Sequence, residues 1–171
     1  PLALAFGENI YTLGYDISKK RVLELKKNFD INLEHSKREF KKSTFINFTS
    51  NYHDINECNY YIITVPTPIF TNKSLDLRHV VQATRLVSKI LNTGDTVIYE
   101  STVYPGFTEE ICIPILNDSN LRLNKEYYVG YSPERINPGD KKHSLKKIIK
   151  VTSGSCKRAS KDIDELYSII L

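Results

Sequence analysis

The chain is predicted to be an α/β protein built on a doubly wound parallel sheet, and three observations carry that expectation. Apolar runs of strand length alternate with segments of helical spacing, which implies βαβ units, parallel pairing and right-handed crossovers. Residues 60–65 form a continuous apolar run, the pattern of a strand covered on both faces. Several runs end in short loops rich in Pro, Gly and hydroxyl side chains, and ligands of open α/β sheets collect beyond the carboxyl ends of the strands.

Taken in order, residues 11–15 read as a strand that ends at Asp16. Ser18 then caps a helix running to about Asn28, with Val22, Leu23 and Leu25 apolar and Lys and Arg side chains outside. A short strand follows at 45–48, and the buried strand at 60–65. Residues 76–91 place Val80, Val81, Ala83, Leu86, Val87 and Ile90 at helical spacing. The next strand covers 96–99 and is followed by a helix from about 108 to 116. Strands at 127–131 and 148–152 and a closing helix at 157–170 complete the pattern. No internal repeat or low-complexity tract is present.

Composition excludes several classes. A chain of 171 residues, 40% hydrophobic and 26% charged, fits one soluble domain with a substantial core. No stretch approaches the ~18 apolar residues of a membrane span, and no basic-then-apolar leader opens the chain, so a cytoplasmic location is expected. Cys58, Cys112 and Cys156 are scattered and lack CxxC spacing, which argues against a disulfide framework and a structural zinc site. His35, His53, His79 and His143 are isolated, without the spacing of metal ligands. The net charge is +4, and basic residues cluster at Lys37, Arg38, Lys41 and Lys42 and again over 141–150. These clusters are read as a solvated surface or as a mild field for phosphorylated ligands; aromatic residues are not interleaved as nucleic-acid binding requires. There is no P-loop and no Ser-His-Asp pattern. The chain has no methionine and opens at Pro1, which is read as a fragment of a longer protein.

Four loops hold the residues that could carry chemistry. Asp16, at a strand end ahead of a helix, is placed to accept hydrogen bonds from an adenosine ribose, favouring NAD over NADP; a helix cap is the competing reading. Arg21 lies one turn beyond Ser18, either over the adenosine or as an exposed helix charge. Val65-Pro66-Thr67-Pro68 leaves a strand with two prolines that stiffen the exit and present Thr67. Glu100-Ser101-Thr102-Val103-Tyr104-Pro105-Gly106 offers the Ser101 and Thr102 hydroxyls, with Gly106 allowing close backbone approach; a capping turn is the alternative. Tyr131-Ser132-Pro133-Glu134-Arg135-Ile136-Asn137-Pro138-Gly139-Asp140 sets an acid and an arginine in a braced loop. Glu134 is a candidate acid/base group, Arg135 a cation for an anionic ligand, and a surface ion pair in a turn the bland alternative.

With these residues in view, the chain resembles the UDP-glucose/GDP-mannose dehydrogenase family. The resemblance rests on Asp16-Ile17-Ser18-Lys19-Lys20-Arg21-Val22, VPTP at 65–68, ESTVYPGFTEE at 100–110 and GYSPERINPGDKKHSL at 130–145. It extends over essentially all of the chain and looks most like the branch that oxidises UDP-N-acetylhexosamines. The resemblance implies a Rossmann-like domain and oxidation of a sugar C6 alcohol to a carboxylate with two NAD⁺. It implies that Asp16 and Arg21 hold the adenosine ribose, and that Val65, Pro66, Thr67, Ser101 and Thr102 line the cofactor toward its nicotinamide. It further implies that Glu134 is the acid/base residue acting with Thr102, and that Arg135 and Ile136 contact the nucleotide sugar, Arg135 by bidentate binding of phosphate oxygens. The substrate would be a UDP-sugar, with products used for capsule, O-antigen or similar surface polysaccharide; no metal or nucleic acid is implied.

The departures carry information too. The UDP-glucose branch has a second acid where this chain has Pro138, which favours the N-acetylhexosamine branch. The family's first strand and GxGxxG turn precede the segment at Pro1, and its catalytic cysteine, Lys and Asn lie beyond Leu171. None of the three cysteines here matches that cysteine. Residues 1–171 are therefore expected to be a partial N-terminal NAD-binding domain, without the central helix and C-terminal UDP-sugar-binding domain of a homodimer or higher homo-oligomer. The absent strand would be central, so two strands should each have an unpaired edge, and the isolated segment should be unstable, poorly soluble and inactive. The alternatives are a UDP-glucose 6-dehydrogenase or a non-catalytic truncated nucleotide-binding relic.

Overall fold

The computed structural model describes residues 1–133 and 149–171. The chain divides into two compact units, one of Pro1–Glu57 with Leu166–Leu171 and the other of residues 58–133 and 149–165.

The first unit holds α1 (Leu2–Gly7), β1 (Thr12–Tyr15), α2 (Lys19–Lys26), α3 (Lys37–Lys42) and β2 (Ile46–Thr49), followed by a 3₁₀ turn at Tyr52–Ile55. β1 and β2 pair in parallel, Thr12 opposite Ile46 and Tyr15 opposite Thr49. Ser18 caps α2 as expected, its Oγ accepting the Arg21 N–H. α3 was not anticipated from the basic cluster; Ser36 and Glu39 form a reciprocal capping box that starts it. Leu4, Val22, Phe40 and Phe48 make the core of this unit, with Leu25 and Ile46 packed against them. Leu23 is not part of it and is exposed.

The second unit holds β3 (Tyr60–Ile63), α4 (Arg78–Ser88), β4 (Thr96–Tyr99), a π-helical turn (Thr108–Cys112) continuing into α5 (Ile113–Asn117), β5 (Tyr128–Tyr131), β6 (Ser153–Gly154) and α6 (Lys157–Ser168), whose last residues belong to the first unit. β3, β4 and β5 are parallel neighbours joined by segments that carry α4 and α5, as βαβ units require. Val97, Ile98 and Tyr99 of β4 are fully buried. α4 lays Val80, Thr84 and Val87 inward, and the Thr84 hydroxyl meets both the Val80 carbonyl and the Tyr99 hydroxyl. α6 packs on β5 where Gly130 leaves room: a Cβ there would lie 2.1 Å from Ile163 Cδ1. Among the described residues no helix is long and apolar enough to cross a membrane.

Two expectations are corrected. β3 is not covered on both faces: exposed Tyr60 alternates with buried Tyr61, and the fully buried strand is β4. Side chains of a strand alternate between the two faces of the sheet, and here only the face carrying Tyr61 and Ile63 is buried. The apolar run at 148–152 is not a parallel strand. Ile149 is 84% exposed and Val151 half-exposed, and the pairing falls at β6, antiparallel to β5. The ladder there is short and is completed by side chains, with Ser153 Oγ donating to the Tyr131 carbonyl. The α/β architecture with parallel pairing is as expected, and among the described residues the strands are ordered β1-β2 and β3-β4-β5-β6. Among the described residues β1 pairs only with β2, and β3 only with β4.

Candidate functional site

In the first unit the site grows from the end of β1. The Asp16 N–H still donates to the Thr49 carbonyl at 3.1 Å, so Asp16 is held in line with the strand. Its Oδ1 accepts the Ser18 N–H at 2.7 Å, while no described residue gives Oδ2 a hydrogen bond. The capping reading of Asp16 holds for one carboxylate oxygen, which shapes the turn into α2, and the other has no hydrogen-bond partner among the described residues. Ser18 Oγ in turn accepts the Arg21 N–H at 3.2 Å.

The Arg21 side chain is engaged within the protein. Its Nη2 donates to Asp30 Oδ1 at 2.7 Å, and Nη1 lies 3.8 Å from Glu24 Oε2. Asp30 is a residue to which the sequence reading gave no role. Its side chain is 2% exposed and also accepts the N–H groups of Asn32, Glu34 and His35. Burial pushes the Asp30 carboxyl up, but the hydrogen bonds from Arg21, Asn32 and His35, with the guanidinium charge, outweigh it and hold the group below the ordinary carboxylate range. The only sequence signal is a short acid in a loop of turn-forming residues, with Asn28 and Leu33 at positive φ.

In the second unit, the parallel register brings the loops after β3, β4 and β5 to one carboxyl edge. The Glu100 N–H donates to the Ile63 carbonyl and the Ser132 N–H to the Tyr99 carbonyl, each at 2.9 Å, extending the ladder past the strand ends. Ser101 is buried, and its Oγ donates to the Val65 carbonyl at 2.7 Å. Its hydroxyl therefore ties the VPTP loop to the ESTVYPG loop instead of being offered to a ligand. Thr67 is half-buried and Thr102 exposed, and no described residue hydrogen-bonds either hydroxyl. Both stand at the same sheet edge, on loops joined by Ser101. Pro66 is exposed beside Thr67. Gly106 has φ of 91°, so its role is the turn itself rather than close approach of another chain.

Beneath these loops lies a buried ion pair, Lys150 Nζ to Glu100 Oε1 at 2.8 Å, with side chains 0% and 2% exposed. Ser132, fully buried, donates from Oγ to the Val151 carbonyl at 2.9 Å. The serine of the SPER sequence is thus a tie between β5 and the returning chain. Glu134, Arg135 and Ile136 lie outside the described residues.

Residues 2–171 match the NAD binding domain of the UDP-glucose/GDP-mannose dehydrogenase family. The chain is 53% identical to a UDP-N-acetyl-D-glucosamine 6-dehydrogenase of Salmonella typhi and 48% identical to one of Pseudomonas aeruginosa. Both matches cover all of this chain and 40% and 41% of the respective relative. It superimposes with a TM-score of 0.90 on a UDP-D-ManNAc dehydrogenase from Pyrococcus horikoshii, at 27% identity, over 100% of this chain and 42% of that one. The chain thus spans about 40% of the length of the relatives it matches. With a strand-end acid and capped helix in one unit and hydroxyl-bearing parallel strand ends in the other, this chain belongs to the UDP-glucose/GDP-mannose dehydrogenase family as its NAD binding domain.

Proposed function

We propose that this chain is the NAD-binding part of a UDP-N-acetylhexosamine 6-dehydrogenase, an enzyme that takes the sugar C6 alcohol to the carboxylate with two NAD⁺. The observation that carries the proposal is the shared carboxyl edge of β3, β4 and β5, where Thr67 and Thr102 stand on loops locked together by Ser101. The relatives that support this substrate branch are full-length enzymes named for UDP-N-acetyl-D-glucosamine.

The residues present fit the dinucleotide. Asp16 Oδ2, with no partner among the described residues, suits a ribose hydroxyl donor, and its charge disfavours a 2′-phosphate. Bound NAD⁺ supplies the hydride acceptor. Thr67 and Thr102 position that end of the cofactor, and Ser101 keeps their two loops at a fixed separation. Glu134 holds or releases the proton at the reacting carbon's oxygen and, with Thr102, handles the water of the final hydrolytic step. Arg135 and Ile136 contact the nucleotide sugar, with the Arg135 fork suited to diphosphate oxygens.

The test uses the full-length protein that carries this chain, assayed for NADH formation on a panel of UDP-sugars. Turnover of a UDP-N-acetylhexosamine is expected, with UDP-glucose used far less. Preference for UDP-glucose would move the protein to the other branch, and no turnover of any UDP-sugar would refute the reading. Glu134→Gln is expected to slow carboxylate formation far more than it weakens NAD binding.

A further inference from the structure

The adenosine end contains a contradiction that Asp30 resolves. In dinucleotide-binding folds an acid at this strand end selects NAD, whereas a nearby arginine accommodates the 2′-phosphate of NADP. This chain has both, Asp16 and Arg21. We propose that Asp30 is a specificity-determining positioning residue, which holds Arg21 away from 2′-phosphate recognition and so makes the site refuse NADP. The inference rests on the reading that Asp16 and Arg21 face the adenosine ribose.

The geometry supports it from several sides. Asp30 accepts three backbone N–H groups of its own loop besides Arg21 Nη2, so its carboxylate is fixed by the 30–35 backbone whether or not the arginine is present. Arg21 therefore bends toward a stationary anion. Its Nη1 is covered and has no hydrogen-bond partner among the described residues, and Glu24 stands 3.8 Å from it. The guanidinium is thus flanked by two carboxylates, with Asp16 on the turn before it, and its charge is more than balanced locally. Lys19 and Lys20 are the cations left on this turn, and both are exposed at the surface of α2. Asp30 remains ionised at neutral pH, since its carboxyl is held below the ordinary range. A 2′-phosphate approaching Asp16 finds no free fork of donors to receive it, and an arginine is useful to phosphate only when its planar donors are available.

The experiment measures kcat/KM for NAD and for NADP in the full-length protein with saturating UDP-sugar, in wild type, Asp30→Asn, Arg21→Gln and the double variant. Asp30→Asn is expected to raise the NADP/NAD ratio by about ten- to hundredfold, the size of one charge-assisted hydrogen bond. That gain should vanish in the double variant, because it needs Arg21. A purely structural Asp30 would lower both cofactors alike, and an unchanged ratio overturns the inference. Arg21→Gln alone keeps the test valid if Asp30→Asn fails to fold. It should leave the ratio within about threefold if Arg21 is already withheld from phosphate, and a tenfold fall would show it available and overturn the proposal. Asp16→Ala separates the two levels. A raised KM for NAD with no ratio change in Asp30→Asn removes only the role of Asp30, whereas an unchanged KM removes the ribose reading and this inference with it.

Discussion

Replacing Lys150 by methionine would take the ammonium away from Glu100 in the most enclosed charged contact described here. The pair is 2.8 Å apart with side chains 0% and 2% exposed, so water cannot readily substitute for the lost partner. Removing one member of a buried pair costs about 3–5 kcal/mol, most of it the penalty of leaving a carboxylate in a poorly solvating interior. Glu100 directly follows β4, so the loss should appear as easier opening of the β4–β5 ladder. Hydrogen exchange of peptides spanning 96–101 and 128–132 in the full-length protein reads this opening locally. Protection there should fall roughly 10²–10⁴-fold, with little change in the first unit. The double variant Glu100→Gln with Lys150→Met should recover much of the protection, since neither uncompensated charge remains. Protection unchanged within about threefold in Lys150→Met would refute the assigned role, and a double variant as damaged as the sum of the singles would assign the loss to packing instead.

Other outcomes follow from the same contacts. Ser101→Ala removes the 2.7 Å tie to the Val65 carbonyl and should cost about 1 kcal/mol of local stability while raising KM for NAD more than it lowers kcat, read by steady-state kinetics. Gly130→Ala drives a methyl to 2.1 Å from Ile163 Cδ1 and 2.7 Å from the Ser153 carbonyl, so it should destabilise by about 1–3 kcal/mol; Ile163→Val should restore only part, since the second obstacle is backbone. Asp30 gives an acid limb of known sign. Its folded pKa lies below the ordinary 3.8, so between the two values the unfolded chain binds more protons. Its contribution is complete above 3.8 and is lost as pH falls through the folded value. Asp30→Asn should flatten that part of the stability–pH curve, and an unaltered slope would show that the carboxylate does not carry it.

Much of the architecture was legible from local pattern. The elements expected at 96–99, 127–131, 18–28 and 157–170 fall within two residues of those bounds and the helix expected at 76–91 within three, because period and caps are properties of neighbouring residues. Asp16 was legible for the same reason: it ends a strand and precedes a Ser-capped helix. The motifs at 65–68, 100–110 and 130–145 also marked the family.

What the tertiary structure alone decided concerns partners. Nothing local in Arg21 says that its guanidinium turns to Asp30, nine positions on, because that contact depends on how the 28–35 loop folds back. Ser101 and Thr102 are adjacent hydroxyls of equal promise in the sequence, yet one is buried against the Val65 carbonyl and the other exposed, which depends on how the loop after β3 lies against the loop after β4. The exposure of Tyr60 and Ile149 likewise follows from which strand lies beside each run, and an apolar run carries no record of its neighbours. Local periodicity writes the elements into the chain; which atoms of a site are held inward and which are left for a ligand is settled only when distant segments meet.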